Sequence, residues 1–67
     1  DLHGLTRQAH KVKGAARIVG AMELADAAAL LETAGRSGDW AQILPLSVDV
    51  ATAAEHLRLD VAERYPA

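Results

Sequence analysis

His10 is the side chain in this sequence with the surroundings to do chemistry. Lys13 follows it at plus three and Gly14 at plus four, while Arg7 precedes it at minus three and Arg17 comes at plus seven. On a helix these positions share one face, and Lys11 adjoins it. A free imidazole titrates near about 6.5, so at neutral pH it is mostly an unprotonated nucleophile. A nucleophile ringed by cations suits an anionic electrophile, and a lysine one turn away can reach an anionic group held on the ring. Glycine in a helix interior costs about 1 kcal/mol relative to alanine, so Gly14 calls for a packing or access reason. With the small Ala15 beside it, Gly14 leaves bare surface one turn from the ring, where a bulky partner can press close. These parts suffice to accept a phosphoryl group from a partner that brings the metal and the activated phosphate.

The elements that must position these residues are helical. Leu2, Leu5, Ala9, Val12, Ala16 and Val19 recur at spacings of three and four, which predicts a first helix over 2–19. Asp1 stands at its start, where a carboxylate is favourable, and Gly20 at its stop. Leu24, Ala27, Ala28, Leu31 and Ala34 predict a second helix over 21–35, followed by a turn at Gly35-Arg36-Ser37-Gly38. Asp39 with Gln42 three residues on reads as a capping box opening a third helix over 39–64. Its stripe is Ile43, Leu46, Val50, Ala54, Leu57 and Val61. Pro45 threatens a kink or a restart near Leu46. The brief alternation from Leu46 to Val50 stays within the helical period. Three amphipathic helices with short connections should be antiparallel neighbours in an all-α bundle.

Composition agrees. The 67 residues allow one domain, 51% of them are apolar, and there is no Phe and a single Trp and Tyr. Such an alanine-rich, aromatic-poor chain reads as a small helical bundle. The formal net charge is −2, against nucleic-acid binding. Charge is segregated: four of the seven basic residues lie in the stretch from Arg7 to Arg17. No apolar run spans a bilayer, and no leader is visible. The absence of cysteine excludes disulfides and thiolate metal sites and fits a reducing compartment. No His-x₃-His pair or carboxylate cage suggests a metal. No glycine-rich phosphate loop suggests ATP. His3 and His56 read as surface residues, Trp40 as an anchor of the loop to the core, and Met22 as a gap-filling or helix-start residue.

The run Ala9-His10-Lys11-Val12-Lys13-Gly14-Ala15-Ala16 resembles the motif of the histidine-containing phosphotransfer (HPt) family, a His with Lys at plus three and Gly at plus four. Gly20-Ala21 and Leu24 resemble the start of that family's next helix, and Leu31-Glu32, Ala34 and Gly38-Asp39 resemble later positions. Ala28 stands where many members carry cysteine. In style the chain resembles the C-terminal HPt domain of hybrid, multi-step sensor kinases. The resemblance implies an antiparallel four-helix bundle, of which three helices are legible, so that the helix before the His helix is absent and the domain is N-terminally truncated. It implies His10 as phosphoacceptor, attacking through Nε2, with Lys13 stabilising the phosphate and Gly14 giving access. Arg7, Lys11 and Arg17 would face the partner. It implies receiver domains as donor and acceptor, Mg²⁺ on the receiver, no cofactor on the chain itself, and a cytoplasmic setting. A second copy completing the bundle is a further partner to consider. A non-catalytic helical docking or dimerisation module is the competing reading, and a helix-turn-helix nucleic-acid binder is a weaker one.

Overall fold

The computed structural model describes residues 1–66, and they form three helices: α1 (Leu2–Ile18), α2 (Met22–Ser37) and α3 (Trp40–Arg64). Asp1 caps α1, its carboxylate accepting from the backbone N–H of His3 at 3.0 Å and of Gly4 at 3.3 Å. Two of the otherwise unpaired first-turn donors are thereby satisfied. Both α1 and α2 end on a glycine in the left-handed region, Gly20 at φ 75° and Gly38 at φ 71°. The backbone N–H of Ala21 reaches back to the Ala16 carbonyl, and that of Asp39 to the Ala34 carbonyl. This is the closing pattern that a positive-φ glycine permits.

Several expectations need correction. α2 does not stop at residue 35 but runs on through Arg36 and Ser37. Gly35 is a contact residue inside the helix: a Cβ there would collide with Thr6 Oγ1 on α1. The Asp39–Gln42 capping box does not form, because Asp39 makes no side-chain capping bond. Asp39 is one of only two residues joining α2 to α3 and already closes α2 through its own N–H. Its backbone, at φ −84° and ψ 87°, is not in the extended setting that aims a capping side chain at the next turn. Pro45 neither stops nor restarts α3, which continues through it. Trp40 is exposed rather than an anchor; of the two readings of Met22, the helix start holds and the gap-filler does not, since it is the exposed first residue of α2.

α2 is the middle layer. It packs on both α1 and α3, and those two do not pack on each other. The core is Ala9, Leu31, Ala34 and Ile43, flanked by partly buried Leu2, Leu5, Leu46 and Val50. The expected stripes hold through α2. On α1 the stripe ends at buried Ala16, and Val19 is exposed beyond the helix. On α3 the buried position is Ala53, not Ala54, and Val61 is exposed. For Val61 the reason is length. α3 has 25 residues against 16 in α2, so at about 1.5 Å per residue it overhangs its partner. Glu23, near the start of α2, meets His56, and Leu57 and Asp60 still border the first turn of α2; Val61, one turn further, is exposed.

Candidate functional site

His10 lies midway along α1 with its side chain 64% exposed. Ala9, its neighbour, is buried in the core, so the helix turns the ring outward. The ring is nevertheless not free to spin. Its Nδ1 lies 2.9 Å from Oε2 of Glu32 on α2. Glu32 is the only buried charged residue in the described chain, with a side chain 2% exposed. A buried charge needs partners, and this carboxylate has three. Lys13 Nζ sits 2.6 Å from Oε1, and Arg36 Nη2 donates to Oε2 at 2.6 Å. The hydrogen bond from Lys13 holds the Glu32 carboxyl below its ordinary range; His10 and Arg36 pull the same way, and burial opposes them. Glu32 is thus an anion at neutral pH. An anion acts only as acceptor, so the shared proton lies on the imidazole Nδ1. In the neutral ring the lone pair then belongs to Nε2, which has no hydrogen-bond partner among the described residues.

Helix register explains the cluster. Thr6, His10 and Lys13 follow one another along one face of α1, and Glu32, Gly35 and Arg36 along one face of α2. Gly35 against Thr6 brings the two helices close one turn from the His10–Glu32 bond. A cleft of about 330 Å³ beside the ring is lined by His3, Thr6, Arg7, His10, Glu32 and Arg36. Arg7 and His3 therefore share the space next to His10. Lys11 and Arg17 are exposed on α1 and join none of the ion pairs among the described residues. Lys13, expected to reach an anionic group on the ring, has a side chain only 18% exposed, with its ammonium committed to Glu32. Gly14 is exposed, and a Cβ added to it would meet nothing within 4 Å. The fold therefore does not need glycine there.

A family model for the Hpt domain matches residues 1–63. The chain belongs to the Hpt domain family. Neither a curated protein nor a solved structure matches it. Membership implies histidine phosphotransfer within phosphorelay signalling and, in general, receiver domains of response regulators as partners. In this Hpt domain, Glu32 and Arg36 are the site residues that motif reading passed over. The available signal was a glutamate embedded among the apolar residues Leu31 and Ala34, on a helix face that had to be buried. No described group of three or more His, Asp or Glu side chains is arranged to hold a metal. No described helix is long and apolar enough to cross a membrane.

Proposed function

We propose that His10 Nε2 takes a phosphoryl group from the aspartyl phosphate of one receiver domain and passes it to another. The observation that carries this reading is the ring's asymmetry: Nδ1 is tied to a buried carboxylate while the exposed edge carries the free nitrogen. The Nε2 lone pair forms the N–P bond, the P–O bond to the receiver's aspartate breaks, and the aspartate leaves as a carboxylate. The Nδ1 proton stays in place, so the ring gains positive charge as the bond forms. Glu32, 2.9 Å away, stabilises that charge and fixes the ring's tautomer and direction, the role a carboxylate plays behind a catalytic histidine elsewhere. Return transfer uses the same contact, because a protonated imidazole is the better leaving group.

Lys13 supplies the cation for the phosphoryl oxygens, after exchanging its carboxylate partner for them. Gly14 offers the open surface on which the receiver approaches. Arg7, Lys11 and Arg17 face the acidic pocket of the receiver and raise the encounter rate, an effect that falls with salt. Mg²⁺ comes with the receiver, and catalysis on this side is positioning and charge stabilisation. The chain is a phosphocarrier without an ATP site, acting in the cytoplasm as part of a multi-step relay that includes a sensor kinase. The test is incubation with a panel of phosphorylated receiver domains. The expected product is acid-labile, base-stable label on the chain, absent from His10→Gln. Label of equal amount on His10→Gln overturns the assignment.

A further inference from the structure

Glu32 presents an unusual distribution of partners. Lys13, from α1, takes Oε1 alone at 2.6 Å, while Oε2 receives both His10 Nδ1 at 2.9 Å and Arg36 Nη2 at 2.6 Å. Arg36 reaches the carboxylate from one turn along the same helix, so its hold does not depend on how α1 and α2 move. The guanidinium is charged at every working pH. Its place in the last turn of α2 also suits a cation, since that end of the helix carries the negative pole of the dipole.

A phosphoryl group on Nε2 lies on the ring edge away from Glu32. To reach its oxygens, the Lys13 ammonium has to leave Oε1. At that moment a carboxylate only 2% exposed loses one of its two permanent cations. A buried carboxylate left short of compensation protonates or turns away, and either event removes the acceptor from Nδ1–H just as the ring becomes positive.

We infer that Arg36 is a positioning residue for phosphotransfer, holding Glu32 charged and on the Nδ1 edge of His10 while Lys13 is engaged with the phosphoryl group. The inference rests on the reading of His10 as phosphoacceptor and deepens it. Before phosphorylation the two permanent cations are redundant on Glu32; after it, Arg36 is the one that remains beside the Nδ1–H of the ring.

The experiment uses phosphoramidate as phosphodonor, so no cognate receiver is needed, together with ¹⁵N NMR of the His10 ring. The chains are the parent, Arg36→Gln, Arg36→Lys, Lys13→Ala and Lys13→Ala/Arg36→Gln. In the unphosphorylated state either single variant is expected to keep the Nδ1–H tautomer, because the other cation still holds Glu32. The double variant is expected to lose it. His10 labelling is expected to slow about tenfold in Arg36→Gln, the scale on which orienting partners act, and to be largely restored in Arg36→Lys. Unchanged labelling in Arg36→Gln, or an intact Nδ1–H tautomer in the double variant, overturns the role of Arg36 while leaving His10 as acceptor. No label on His10 in the parent chain overturns the acceptor reading itself and this inference with it.

Discussion

Two histidine–glutamate pairs tie α2 to its neighbours, and on distance alone they are alike. His10 Nδ1 meets Glu32 of α2 at 2.9 Å, and His56 Nδ1 on α3 meets Glu23 of α2 at 2.9 Å. Both histidines are more than half exposed, at 64% and 57%. The carboxylates differ: Glu32 is 2% exposed and Glu23 is 60% exposed. Around Glu23 water competes for every hydrogen bond, and no lysine or arginine joins it among the described residues. Around Glu32 water is excluded and two full cations are fixed in its place. The first pair therefore orients a ring, whereas the second is a surface contact that thermal motion and salt can break. On the proposed reading of His10, what would aim the nucleophile is the environment of its carboxylate, not the bond length to it.

The sharpest way to break the comparison is to neutralise each carboxylate in turn. Glu32→Gln is expected to slow phosphoryl transfer to His10 by about 10- to 100-fold, the range seen when the group orienting a functional imidazole is altered. Glu23→Gln is expected to leave transfer unchanged. Equal rates for all three chains would mean that the Glu32 contact does not aim the ring. Acid titration offers a second view. The folded-state value of Glu32 lies below its ordinary value of 4.5, so in acid the folded chain holds fewer protons there than the unfolded chain. Its contribution to stability is fully present above about pH 4.5 and is lost as the pH falls through the depressed folded value. Denaturation midpoints followed from pH 6 downward should fall less in Glu32→Gln than in the parent.

Much of this contrast was legible before any coordinates, and the part that was not has a clear cause. The periodicity of Leu2, Leu5, Ala9 and Ala16, and of Leu24, Ala28, Leu31 and Ala34, is a local property of the chain, so the helices and their inward faces follow from it. His10 with Lys13 and Gly14 is equally local. Glu32 is 22 residues from His10 in sequence, and only the antiparallel packing of α1 on α2 brings the two together. Arg36 was assigned to a turn because Gly35 and Gly38 bracket it. Two glycines with opposite jobs look the same in sequence. Gly38 turns the chain at φ 71°, while Gly35 sits inside the helix to let Thr6 close. The exposed ends of α3 were misread for the complementary reason: Val61 keeps the stripe's period, but α2 is too short to cover it.

The closeness of α1 to α2, which buries Glu32, can be tested at Gly35. Gly35→Ala puts a methyl against Thr6 Oγ1, inside van der Waals contact. Overpacking of this kind costs about 1–3 kcal/mol, partly offset by up to about 1 kcal/mol from alanine's helix propensity. Thermal unfolding should show a lower midpoint, and Thr6→Ala in the same chain should recover it by removing the obstructing oxygen. Gly14→Ala is the control with the opposite sign. Nothing stands within 4 Å of the added methyl, so the chain should gain about 1 kcal/mol. If transfer from a receiver nonetheless slows while labelling by phosphoramidate does not, the loss belongs to the partner's approach and not to the fold.

The smallest effect is the most discriminating about cause. A double-mutant cycle on His56→Ala and Glu23→Ala should return a coupling of less than about 1 kcal/mol, as exposed pairs do, and the coupling should shrink further in high salt. The surrounding contacts favour a clean reading: both side chains are solvated, so neither single variant leaves a buried group unpaired. The same cycle on His10→Ala and Glu32→Ala should give the larger value and hold it as salt is raised, because the carboxylate is shielded from the solvent ions. Equal couplings with equal salt dependence would mean that burial of the carboxylate does not distinguish the two pairs. The orientation of His10 would then have to be sought in the other groups of the cleft it shares with His3 and Arg7.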